Sequence, residues 1–161
     1  MLLSVAVWGI LLVYVDAQSF CQEGWVGNAE SSCYHISRDT EEWVTAEEMC
    51  KLYGATLVNI ETLDEDRFLS EYLRNFSKVY PSHEFWIGLT DWEVEGHFLW
   101  VPERLTPLYY NWGPSEPDND HLDQHCTIIN TREHYQWYDR TCNQQYNYIC
   151  EKTTNPGIVI G

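Results

Sequence analysis

Six cysteines constrain this 161-residue chain more than any other feature: Cys21, Cys33, Cys50, Cys126, Cys142 and Cys150. What they can do depends on the compartment, and the N-terminus bears on that. Leu2 to Val15 is an apolar run broken by Ser4 and Gly9. It is too short to span a bilayer, which takes about 20 apolar residues. Val15-Asp16-Ala17 then offers small side chains at the positions a signal peptidase reads. Residues 1–17 therefore read as a cleaved signal peptide, and the mature chain as secreted and extracellular. In an oxidising compartment six cysteines read as three disulfides. Composition alone leaves their connectivity open. The short separations Cys21/Cys33 and Cys126/Cys142 suggest local staples, and Cys50 with Cys150 would then close most of the domain. In the chain-entropy account a closure of about 100 residues stabilises by roughly 4–5 kcal/mol, and a short one by about 3 kcal/mol. A cysteine zinc site would want paired C-x-x-C spacing, which the chain lacks.

About 144 residues remain after the leader, enough for one domain with a full core. Aromatics make up 15% of the chain, with eight Trp and eleven Tyr, which excludes disorder and implies a filled interior. The formal charge of −16 repels nucleic acid and anionic lipid and attracts cations. Neither a nucleic-acid partner nor membrane insertion is expected.

Trp25 to Ile36 alternates like a hairpin. Asp39 with Glu42 offers an N-cap for a helix carrying Trp43, Ala46, Met49, Cys50 and Tyr53 at helical spacing, stopped by Gly54. Thr56 to Ile60 reads as a strand. Thr62 with Glu65 forms a capping box for a second helix, whose buried face is Phe68, Leu69, Tyr72 and Leu73 and whose end lies near Phe76. Phe85 to Leu89 is an apolar strand, and His97 to Val101 its hairpin return. Pro102 to His125 is turn chemistry, and so long a loop in a compact domain usually serves function. Thr127–Ile129 and Tyr146–Ile149 are closing strands. Two helices followed by short strands make an α+β domain. Residues 152–161 read as a short tail.

Inside the long loop, Glu116 and Asp118 flank Pro117, and Asp139 follows between two cysteines. Such carboxylates could together hold one hard divalent cation, since calcium takes six to eight oxygens. At this point the chain resembles the C-type lectin-like domain over about residues 21–151. The motifs that carry the resemblance are Trp86-Ile87-Gly88-Leu89, Glu95-Gly96-x-Phe98-x-Trp100, Asn111-Trp112, Glu116-Pro117-Asp118, Trp137-x-Asp139 and Ile149-Cys150-Glu151. The resemblance implies two helices with short antiparallel sheets and a long calcium-binding loop, at about Leu105 to Cys126. It also implies disulfides Cys50–Cys150 and Cys126–Cys142, with Cys21–Cys33 marking the long form of the domain.

Carried over position by position, the resemblance assigns a calcium ion to Glu116, Asp118, Gln124, Tyr138 and Asp139, with the proline after Glu116 typically cis. Asp118 stands here where an amide is usual, Gln124 where a carboxylate is usual, and Tyr138 where Asn is usual. The charge at the ion is preserved at about −3, while Tyr138 is a poor ligand when neutral, so a metal set of Glu116, Asp118, Gln124 and Asp139 is expected. The same residues with Tyr138 would bind carbohydrate. Glu116 and Asp118 only accept hydrogen bonds when ionised, so a donor must come from Gln124 or Tyr138, and neither the mannose-type nor the galactose-type pattern transfers. An auxiliary calcium would fall at Asp91, Glu95, Asn119, Gln124 and His125, where only two carboxylates remain.

His121, Asp123 and His125 offer a zinc alternative, without helical spacing to support it. His134 and Tyr135 could stack on a sugar or simply pack. Asn75-Phe76-Ser77 is an N-glycosylation sequon expected on the surface after the second helix. No activated nucleophile and no raised-pKa acid can be argued, so an enzyme is not expected. The expected function is a secreted, calcium-dependent lectin for surface glycans, for instance in innate defence. The alternatives are an acidic matrix- or mineral-binding protein and a calcium-independent protein-binding domain. The tail lacks heptads, so any homo-oligomer would form through the domain surface or the N-terminal segment.

Overall fold

The computed structural model describes residues 21–28 and 32–153. The expected signal peptide and all but the start of the tail lie outside these residues. Within them the chain runs β1 (Val26–Gly27), β2 (Ser32–Ile36), α1 (Trp43–Leu52), β3 (Thr56–Leu57), α2 (Leu63–Val79), β4 (Glu84–Thr90), β5 (Leu99–Trp100), β6 (Cys126–Asn130), β7 (Gln136–Arg140) and β8 (Asn147–Thr153). The strands form one sheet in the order β1-β2-β8-β4-β6-β7, with β3 paired to β8 and β5 to β4. This is the expected α+β fold with one amendment: the sheet is mixed, because β4 and β8 run parallel through Phe85↔Asn147 and Trp86↔Tyr148. The three disulfides join Cys21–Cys33, Cys50–Cys150 and Cys126–Cys142, as expected.

β4 is buried on both faces, which explains its unbroken apolar run. Strand alternation sends Phe85, Ile87 and Leu89 into one cluster with Leu69 and Leu73 of α2, Trp100 and Trp137. It sends Trp86 into the other, with Ala46 and Cys50 of α1, Ile128 and Tyr148. Fully burying each such side chain is worth roughly 1.5–3 kcal/mol. Leu69 has no exposed surface, so Leu69→Ala should cost about 2–5 kcal/mol. At Gly88 a Cβ would meet Asn59 Oδ1 at 2.5 Å and the Leu57 carbonyl at 2.9 Å. Only glycine lets β4 pass that close to the segment after β3.

The caps divide. Thr62 Oγ1 accepts from Glu65 N at 3.1 Å, as the capping box requires. Its reciprocal arm lands one residue early, with Glu65 Oε2 accepting from Glu61 N at 2.9 Å. Glu65 is also committed across the domain, since Tyr34 Oη donates to Glu65 Oε1 at 2.7 Å. Asp39 is not an N-cap. The helix starts at Trp43, its Glu42 cap makes no side-chain bond, and Trp43 N donates to the Cys142 carbonyl at 3.0 Å. The indole of Trp43 reaches the Ile87 carbonyl at 2.9 Å, so tertiary contacts, not a local cap, place α1.

Several expected elements are shifted. The strand read over Thr56 to Ile60 contracts to β3, the return over His97 to Val101 contracts to β5, α2 continues past Phe76 to Val79, and the closing strand runs on to Thr153, into the expected tail. Asn75 is consequently an exposed residue inside α2 rather than after it.

Candidate functional site

The long loop is stitched to β7 before it reaches its acidic tip. Trp137 N donates to the Asn111 carbonyl at 2.8 Å, and Gly113 N donates to the Trp137 carbonyl at 2.9 Å. A Cβ on Gly113 would meet the Tyr138 ring at 2.5 Å, so glycine is what lets this ring lie across the strand. Trp112 and Trp137 pack edge to face at 6.0 Å.

From that anchor the loop brings Glu116 and Asp118 to Asp139 of β7. One oxygen from each of the three carboxylates lies within 4.8 Å of the others. The Glu116–Pro117 peptide bond is cis. Asp139 has no exposed surface and is fixed by two backbone donors: Asp118 N at 3.2 Å to Oδ1 and Asn119 N at 2.8 Å to Oδ2. Glu116 Oε2 is buried and has no hydrogen-bond partner. Burial first, then the neighbouring Asp139 and Asp118, push the Glu116 carboxyl up to about 8, with Arg140 pulling the other way.

Gln124 is brought to the same rim. Its Oε1 and Asp118 Oδ1 accept from one donor, Asp120 N, at 3.0 and 3.1 Å. Its own N donates to Asn119 Oδ1 at 3.1 Å. The loop does this with Asn119, His121 and Leu122 in the left-handed region, at φ of 45°, 60° and 58°. Asn tolerates that conformation, whereas His and Leu carry a cost on the order of 1 kcal/mol each. Tyr138, in contrast, is packed on Gly113 beneath Arg140, whose guanidinium carbon sits 5.2 Å from the ring centre. Arg140 also donates to the Asp139 carbonyl at 2.6 Å. The sequence reading passed over this cation, although it follows Trp137-Tyr138-Asp139 directly.

The donor set fits a hard cation. Three carboxylates and a nearby amide oxygen match calcium chemistry, and the buried, unpartnered Glu116 oxygen is a group that a cation would satisfy.

A second cluster joins Asp91, Glu95 and His125. Asp91 is 2% exposed. His125 Nδ1 lies 3.1 Å from Asp91 Oδ1 and 3.6 Å from Glu95 Oε2, and Asp91 Oδ2 accepts from Gly96 N at 2.7 Å. The auxiliary set is thereby divided: Asp91, Glu95 and His125 come together, while Asn119 contributes its backbone to Asp139 and Gln124 turns to Asp120. The zinc trio is not assembled. His121 pairs with Asp120 at 3.4 Å on the exposed turn, and His125 belongs to Asp91. Tyr135 packs against the core under Arg74, 5.2 Å from its ring centre, and His134 is exposed.

Residues 39–152 match the family described as the Lectin C-type domain. The chain is 31% identical over 126 residues to perlucin of Haliotis laevigata, covering 78% of this chain and 79% of perlucin. It is 32% identical over 139 residues to the human asialoglycoprotein receptor 2, covering 84% of this chain but 42% of the receptor. Among solved structures, the carbohydrate-recognition domain of the human scavenger receptor C-type lectin superposes with a TM-score of 0.73 at 28% identity, covering 83% of this chain and 99% of that domain. Proteins of this family bind carbohydrate and are not enzymes, so the paired carboxylates are not a hydrolase pair. Fold, disulfides and family match agree: this chain belongs to the C-type lectin domain family.

Proposed function

We propose that this chain is a secreted, calcium-dependent lectin for surface glycans, serving recognition of the kind used in innate defence. The observation that carries this reading is the convergence of Glu116, Asp118 and Asp139, with Glu116 Oε2 buried and unpartnered. The name of the scavenger-receptor relative supports carbohydrate as the ligand class, and that of the asialoglycoprotein receptor supports a glycoprotein glycan. Glu116, Asp118 and Asp139 would hold the calcium, with Gln124 Oε1 as the amide oxygen beside Asp118. When bound, calcium supplies open coordination positions for vicinal sugar hydroxyls. Asp139 is already oriented by two backbone donors, so it would hold the ion from a fixed side chain, and Glu116 and Asp118 would also accept from sugar hydroxyls. The donor would come from the Gln124 amide or the Tyr138 hydroxyl. Burial of the Glu116 oxygen excludes water from one side of the cluster.

A glycan array run with calcium and with chelator tests this. Binding that appears only with calcium and is competed by soluble sugar supports the lectin reading. Calcium binding without any sugar competition would favour the acidic matrix- or mineral-binding alternative. Absence of calcium binding in calorimetry would favour a protein-binding domain. At Asn75 a glycan is proposed, since the side chain is exposed, and a mass shift on deglycosylation checks it.

A further inference from the structure

Where the long loop rejoins the sheet lies a cleft of about 380 Å³, lined by Trp92, Asp123, His125, Thr141, Cys142 and Asn143. Its walls are built, not loose. The Thr90 hydroxyl donates to the His125 carbonyl at 2.6 Å and accepts from Trp92 N at 3.1 Å, tying the two sides together. Asp91 N also donates to the His125 carbonyl, at 3.2 Å. The His125 ring is pinned through Nδ1 to Asp91 and meets the Trp92 ring edge to face at 6.1 Å. The Cys126–Cys142 disulfide fixes the floor between Thr141 and Asn143.

Trp92 is 61% exposed, although a ring of that size is normally covered. An uncovered aromatic face beside short hydroxyl, amide and carboxylate groups is the chemistry that recognises a pyranose: apolar C–H groups stack on the ring, and hydroxyls bond to the polar rim. The volume is within the usual range for small-molecule sites. Asp123 and the net charge of −16 disfavour sialylated or sulfated sugars.

We infer that this cleft is an accessory subsite that takes a neutral hexopyranose, one residue further along an oligosaccharide whose other end sits at Glu116, Asp118 and Asp139. Consecutive residues of the chain link the two places. Gln124 stands at the acidic rim, and its chain neighbours Asp123 and His125 line the cleft. The cleft shares no residue with the Glu116, Asp118 and Asp139 cluster, and its His125 is already paired with Asp91. The inference rests on the glycan reading above, and its test separates the two.

The experiment is an NMR titration of the Trp92 indole N–H and of the loop amides at 116–120. The probes are linear trisaccharides of mannose, galactose and N-acetylglucosamine, with the matching methyl monosaccharides, each in calcium and in chelator. The expected result is a Trp92 shift with at least one trisaccharide in both conditions, and a loop shift in calcium only. Trp92→Ala should then weaken that trisaccharide about fivefold to tenfold in calcium while leaving the monosaccharide and calcium affinities within about twofold. Trp92→Phe should restore most of the loss. A Trp92 shift in chelator without any loop shift in calcium would uphold the cleft and sink the calcium reading. Loop shifts in calcium with Trp92 silent throughout, or a Trp92→Ala protein that binds trisaccharide unchanged, would overturn the subsite.

Discussion

The two acidic clusters of this domain are built from similar side chains and end in opposite electrostatic conditions. Asp91 and Glu95 surround an imidazole, and each Asp91 oxygen has a donor. Glu116, Asp118 and Asp139 face one another, and one buried oxygen has no partner. The first cluster carries its own counter-group, whereas the second asks for one. Counting carboxylates does not distinguish a cation site from a finished network. What distinguishes them is which oxygens remain unsatisfied.

The largest expected effect that would test this contrast is Asp139→Ala. It removes a buried carboxylate of the proposed calcium site and the acceptor for two loop amides, so calcium affinity should fall more than about a hundredfold by calorimetry. An affinity within tenfold of the parent would break the comparison. His125→Ala comes next. It strips the partner from a carboxylate that is almost fully buried, and should lower unfolding stability by about 1–3 kcal/mol in chelator. If the second cluster then binds a cation, calcium stoichiometry will rise in the variant and not in the parent.

The pH dependence should differ in sign with and without calcium. Burial and its carboxylate neighbours make folded Glu116 hold its proton more tightly than the unfolded chain does. Without the ion, its contribution to stability is full at low pH and is lost as pH rises from the ordinary carboxylate range through about 8. Glu151, pushed up to about 7 chiefly by burial and then by Glu65, acts in the same direction. Calcium needs the Glu116 carboxylate, so its affinity should rise by up to about tenfold per pH unit until that group has ionised. Melting curves against pH in chelator should therefore fall where calorimetric calcium affinity climbs. Flat calcium affinity across this range would show that Glu116 is not a ligand. The smallest effect is expected for Glu95→Ala. Its side chain is 56% exposed and 3.6 Å from His125, so stability should change by less than about 0.5 kcal/mol in thermal melts.

Which parts of this could be read from the residues follows from range. Thr62 and Glu65 lie three apart, and their bond is where local rules put it. The Asp39 cap failed because the segment before α1 is held from afar: Asn147 Nδ2 donates to the Asp39 carbonyl at 2.9 Å, and Tyr146 N to the Glu41 carbonyl at 3.1 Å. Those contacts hold residues 39–42 outside the helix, whatever their capping propensity. Glu116, Asp118 and Asp139 could be named together only because a family motif encodes their meeting. His125 and Asp91 stand 34 positions apart and were joined only as members of an auxiliary calcium set, so the imidazole was readable as a metal ligand but not as a substitute for a metal. Trp92 was legible as an aromatic and illegible as exposed, since exposure depends on what the fold fails to lay over it.

The sheet order has a practical consequence. Ser32 stands opposite Thr153 across β2 and β8, and Cys21 is bound to Cys33, so the first and last described segments lie side by side. The carboxylate loop is joined to β7, at the other margin of the strand order. A linker or bead joined next to Cys21 or Thr153 would thus meet the domain with β4 and β6 between it and β7, and weak single-site binding could be multiplied by repeating the domain.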